Sequence, residues 1–109
     1  MTRPVSAKPP AAVFDVAAAR RRCLRLRRRI LEMSQKVTAL HIGGSYSCLE
    51  IVDTVYFGLM RRGEGVAHPD TFILSKGHGS LAQYTVLEEA GVLSREDLDA
   101  YCQPGGRLA

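Results

Sequence analysis

The sequence predicts an α/β chain that is mostly helical and carries only part of its sheet. Four stretches place apolar residues at offsets of three and four, the helical period. One short apolar run, Phe72-Ile73-Leu74, has no room for a helix and reads as a buried strand. Directly behind it, Ser75-Lys76-Gly77-His78-Gly79-Ser80 makes a glycine-bracketed corner that leads into an amphipathic segment. A chain of 109 residues has room for one small domain. No apolar run approaches the ~20 residues needed to span a bilayer.

Taken in order, Met1 to Ala12 is rich in Pro and Ala, lacks the apolar core of a secretory signal, and is expected to be a disordered leader. Residues 13–109 would then form the domain. The first helix is placed by Asp15 as N-cap and by Ala17 to Ala19 as strong helix formers. Its apolar stripe is Cys23, Leu26, Ile30, Met33 and Val37. The net charge of +4 rests on seven arginines between Arg20 and Arg29; without them the balance turns acidic. Three readings of that cluster compete: nucleic-acid binding through phosphates, an organellar transit peptide, and the solvated or partner-facing side of a helix. The last is preferred, since arginine stems can cover apolar surface beside a buried stripe.

The second helix is expected to begin at Ser47, which has capping-box spacing to Glu50. Cys48, Ile51, Val52, Val55, Tyr56 and Leu59 form its apolar face, and it should stop near Arg61-Arg62-Gly63. Glu64 to Pro69 reads as a loop, with His68 a surface residue. After the corner, Leu81, Tyr84, Leu87 and Glu88 mark a helix closed by Gly91. Ser94 to Asp97 gives another capping signal, with Leu98 and Tyr101 on the buried side of a short last helix, and Gln103 to Gly106 is a loop. Cys23, Cys48 and Cys102 form no metal spacing, and two lie in apolar stripes, so free thiols in a reducing compartment, the cytoplasm, are expected.

A strand apolar at every position expects cover on both faces and a neighbour on each edge. The sequence offers no second strand. Either a helical pattern hides one, or the sheet is completed by residues outside these 109.

Two segments carry the chemistry. In open α/β sheets, ligands collect where strands end and helices begin, and free N–H groups there favour anions. His78 stands between glycines at such a corner. His41-Ile42-Gly43-Gly44-Ser45 supplies a second histidine beside a glycine pair that lets a ligand approach the main chain. Each segment by itself is as well explained by a structural turn. In order, His-x-Gly-Gly-Ser, a helix, a linker and Phe-Ile-Leu-Ser-Lys-Gly-His resemble the amino-terminal section of transketolases. These are thiamine-diphosphate enzymes that move two-carbon ketol units between sugar phosphates. The likeness runs from about Arg28 to Gly106, is most specific over Asp70 to Tyr84, and points to bacterial transketolases split into amino- and carboxy-terminal subunits.

The resemblance implies that the chain is the opening of a doubly wound parallel-sheet domain that binds thiamine diphosphate and Mg2+. His41 matches the family's histidine beside the thiazolium and sugar substrate, and His78 the histidine on the diphosphate and substrate side. These two become the candidate catalytic residues. Lys76, Gly77 and His78 become the candidate cofactor-binding residues, and His41 and Ser45 the candidate substrate-binding ones. Ile42 departs from the Pro of many full-length members but is familiar in split subunits. The family's Gly-His-Pro, its metal-holding Gly-Asp-Gly with a downstream Asn, and its activating glutamate do not occur in these 109 residues. Glu32, Glu50, Glu64, Glu88, Glu89 and Glu96 fall outside any matching context. The chain is therefore expected to be inactive by itself and to need the remaining transketolase segments or a partner subunit in a homo- or hetero-oligomer. The other function class left open is a non-catalytic interaction module built on the Arg-rich helix.

Overall fold

A computed structural model describes residues 14–37, 42–61 and 70–108. The expected leader, His41, His68 and the Glu64 to Pro69 loop lie outside the described residues. The described elements are α1 (Val16–Ser34), α2 (Ile42–Thr54) continued by a π-helical turn (Val55–Leu59), a 3-10 turn (Gly77–Gly79), α3 (Ser80–Glu89) and α4 (Arg95–Asp99).

α1 forms as its pattern predicts. Asp15 is extended, and its carboxylate accepts from the Ala18 amide at 2.9 Å, satisfying an otherwise orphan donor of the first turn. Cys23, Leu26, Ile30 and Met33 are buried, and Val37 packs partly against them. α4 also keeps its forecast: Ser94 and Asp97 cap each other's amides, and Leu98 and Tyr101 are buried. α3 closes at Gly91, whose φ of 82° is a conformation glycine adopts without strain. Leu81, Ala82, Thr85 and Val86 form its buried side, while Tyr84 and Leu87 are half-buried.

α2 departs from its forecast in two ways. It starts at Ile42, through the Gly-Gly pair, so Ser47 lies inside the helix and donates back to the Gly44 carbonyl at 3.0 Å instead of capping. Its buried apolar residues are Cys48, Leu49, Val52, Tyr56 and Met60, whereas Ile51 and Leu59 are 63% and 66% exposed. The series 48, 52, 56, 60 has a spacing of four. In a regular helix that series drifts about 40° per step, and the wider π turn, closed by Met60 N–H to the Val55 carbonyl at 2.8 Å, corrects for it. The chain leaves this turn through Arg61, whose amide and guanidinium both donate to Asp70.

The strand expected at Phe72 to Leu74 does not form a ladder, and no strand occurs among the described residues. Phe72 and Leu74 are half-buried, with the Phe72 ring edge-on to Tyr56 at 5.6 Å, but Ile73 is 79% exposed. The segment is covered on one face only and has no described backbone to pair with. The fold described is thus a helical layer.

Candidate functional site

The corner is made by two backbones in close approach. A Cβ on Gly44 would lie 2.6 Å from the His78 carbonyl oxygen, and one on Gly79 would lie 2.8 Å from Cys48 Sγ. A side chain at Gly44 would run into backbone and one at Gly79 into the Cys48 thiol, and this contact explains why Gly44 stands in the first turn of a helix that its own propensity opposes. The 3-10 turn is held by Gly79 N–H to the Lys76 carbonyl at 3.0 Å and by the Ser80 amide to the Gly77 carbonyl. The structure therefore brings the Gly43-Gly44-Ser45 and Lys76-Gly77-His78-Gly79 segments together across one seam.

Gly43 and Gly77 are different. A Cβ at either would meet no described atom within 4 Å, and neither has a positive φ. Among the described residues neither packing nor backbone strain calls for glycine there, and the space in front of both is open. Lys76 stands beside them, exposed, its ammonium donating to Ser47 Oγ at 2.7 Å. That hydroxyl passes its own proton toward the Gly44 carbonyl. Among the described residues no carboxylate pairs with Lys76, so its charge is oriented without being neutralised. His78 is exposed on the turn, and Ser45 is buried in the first turn of α2 at 1% exposure. His41 immediately precedes the described start of α2 and lies outside the described residues. No cluster of three or more His, Cys, Asp or Glu arranged to hold a metal occurs among the described residues.

Part of the arginine cluster has a role beyond the solvated or partner-facing side expected for it; Arg20, Arg21, Arg25 and Arg28 are exposed. Arg22 makes a two-pronged contact to Asp53 at 2.6 and 2.7 Å, and the Asp53 side chain is 1% exposed. Arg25 pairs with Glu89, and Arg27 with Glu50. Arg29, itself 8% exposed, reaches both Glu88 oxygens at 3.0 and 3.1 Å and Asp99 at 3.0 Å. Four of the seven arginines thus fasten α1 to the other helices. The Arg27 guanidinium holds the Glu50 carboxyl below the usual range, and Arg29 with Lys36 does the same for Asp99. Burial pushes the Cys23 thiol up to about 11, which makes it an inert core residue.

Sequence reasoning missed Ser47, assigned to a cap, and Cys48, assigned only to a stripe. Both sit in the seam. The one available signal was the Gly-Gly pair, which marks close backbone approach without saying what approaches.

Over 86 residues, 76% of its length, the chain is 38% identical to an apulose-4-phosphate transketolase subunit of Phocaeicola vulgatus. It is 37% identical over the same span to the 6-deoxy-6-sulfo-D-fructose transketolase subunit SqwG of Clostridium sp. (strain MSTE9). The matched stretch is thus similar to transketolase subunits. The chain spans about a third (31%) of the length of these curated relatives. No family model and no solved structure matches it. The transketolase-family likeness expected from the two histidine segments is therefore borne out. The interaction-module reading loses ground, since most of the arginines it relied on are bound to the chain's own carboxylates.

Proposed function

We propose that this chain is the amino-terminal part of a transketolase-like enzyme that transfers two-carbon ketol units between sugar phosphates, using thiamine diphosphate and Mg2+. The observation that carries the proposal is the pair of open glycines, Gly43 and Gly77, on either side of a seam that Gly44 and Gly79 close tightly. An occupant that comes within contact distance of the main chain gives both glycines a reason they otherwise lack. The diphosphate end of the cofactor fits there: Lys76 offers an ammonium without a carboxylate, and Gly77 and His78 offer an accessible turn. Ligands for the metal are not supplied by the described residues and are assigned to the remaining transketolase segments.

When bound, the cofactor supplies the nucleophile and the electron sink for ketol transfer. The chain's own part is orientation and proton handling. Lys76 holds negative charge at the corner, with its direction set by Ser47. His78, on the adjacent exposed turn, donates to or takes a proton from a substrate oxygen, work suited to imidazole near neutral pH. His41, which precedes α2 in the sequence, and Ser45, in its first turn, are assigned to the substrate side. We read the partner as a carboxy-terminal transketolase subunit, and the chain by itself as inactive.

The test is reconstitution. Mixing the chain with a carboxy-terminal transketolase subunit, thiamine diphosphate and Mg2+ should produce ketol transfer that neither component shows separately. Absence of turnover despite a formed complex would overturn the proposal, as would stoichiometric, Mg2+-dependent cofactor binding by the chain without its partner.

A further inference from the structure

The arginines of α1 divide into two sets. Arg22, Arg25, Arg27 and Arg29 each hold a carboxylate, as described above. Arg20, Arg21 and Arg28 hold none among the described residues. At about 100° per residue, Arg21 and Arg28 fall on the side of α1 opposite its buried stripe, and Arg20 falls on the flank beside it. On that same outward side are Leu24, 61% exposed, and Leu31, 48% exposed, seven residues apart. The Leu24 end borders a groove of about 430 Å³ between α1 and α2, floored by Ala19 and Cys23. The carboxylates in that groove, Glu50 and Asp53, are already engaged by Arg27 and Arg22, which leaves Arg20 on its rim uncompensated.

We propose that this outward side of α1 docks an acidic amphipathic helix of a partner protein, with apolar residues at heptad spacing set along Leu24 and Leu31 and carboxylates facing Arg20, Arg21 and Arg28. Leu24 and Leu31, seven apart, make a narrow apolar row between charges, room for one helix and not the broad apolar face with which a helix lies in a membrane surface. The opposite side of α1 is held in the core, so it cannot turn to bury more. Charge excludes the nearer occupants. A second copy would bring the same unpaired arginines against each other, and residues 1–13 contain no Asp or Glu.

The test uses the full chain and a synthetic helical peptide with Leu every seven residues flanked by Glu, followed by fluorescence anisotropy. Binding should weaken about two- to fivefold for Arg20→Ala or Arg28→Ala, the size of exposed ion pairs, and at least about tenfold for Leu24→Ala. Arg25→Ala, the same charge removed from the paired set, should leave affinity unchanged. All four variants are judged at temperatures where circular dichroism shows the fold intact. No binding by the wild-type chain, or equal losses for Arg25→Ala and Arg28→Ala, overturns the proposal. So does tighter binding of single-stranded DNA or of phosphatidylserine vesicles that depends on the same residues.

Discussion

The first helix and the glycine corner are both marked by positive charge, yet the charges meet opposite fates. On α1, four guanidinium groups are matched with carboxylates of α2, α3 and α4, and the Arg22–Asp53 pair is almost out of water. At the corner, one ammonium rests on a neutral serine hydroxyl and stays exposed. Within a run of seven arginines, four are tied to carboxylates of the other helices, while the single lysine between a serine and a glycine stays exposed with no carboxylate beside it among the described residues. The difference lies in what faces each cation, and that depends on contacts between residues distant in sequence.

Removing one member from each region sharpens the contrast most. Arg22→Ala leaves the Asp53 carboxylate buried without its partner, and the expected cost is about 3–5 kcal/mol of stability, read from denaturant unfolding. Lys76→Ala should stay within about 0.5 kcal/mol of wild type, as exposed substitutions do. Equal losses would remove the distinction between architectural and available cations. The next largest effect falls on turnover. In the reconstituted enzyme, His78→Ala should lower ketol transfer about 10²-fold or more, the scale of a lost acid–base group, with the melting temperature nearly unchanged. His41→Ala should impair substrate use with an equally small effect on stability. Normal activity with a clear fall in stability would make these histidines structural.

The glycines allow the same comparison within the corner. Gly44→Ala must push a Cβ into the His78 carbonyl, a backbone atom that cannot swing aside, and should cost about 1–3 kcal/mol. Gly43→Ala, in the same helical turn but facing open space, should be neutral or stabilising by up to about 1 kcal/mol, because alanine favours the helix. If the open space receives the cofactor, Gly43→Ala and Gly77→Ala in the reconstituted enzyme should weaken its binding while the fold keeps its stability. Calorimetric titration checks this, and unaltered affinity in both variants would leave the two glycines without a role.

What the sequence disclosed divides along the same line. α1, α3 and α4 were legible because caps, periodicity and a C-terminal glycine are local signals, carried by residues within a turn or two of each other. The start of α2 was not, because Gly43-Gly44 argues against helix until the His78 backbone is set beside it. The burial of Met60 in place of Leu59 was hidden for a related reason, since a π turn leaves no composition mark. The strand at Phe72 to Leu74 was read from apolarity, but a strand exists only with a neighbour, and none occurs among the described residues. The arginine pairs between helices join residues 23 to 70 positions apart, beyond any periodicity argument. The two histidine segments were recognisable as a pair in sequence. That they share a seam built on Gly44, Gly79 and Cys48 was visible only once the chain had folded.

The smallest effect concerns pH, and it separates exposed pairs on α1 from buried ones. Glu50 and Asp99 have carboxyls held below their usual range, chiefly by hydrogen bonds from Arg27 and Arg29 respectively. A carboxyl depressed in the folded state adds stability that is fully present above its unfolded value, near pH 4. That contribution disappears as the pH falls through the lower folded value. The melting temperature should therefore hold steady from neutrality to about pH 5 and decline below about pH 4. Both side chains are well exposed, at 57% and 39%, so solvent screening limits each contribution to under about 1 kcal/mol. Arg27→Ala should flatten only the Glu50 share of that decline, and added salt should flatten both shares. A decline that begins above pH 5, or one that salt leaves untouched, would mean that these outer pairs are not the source of the acid sensitivity and contribute nothing measurable.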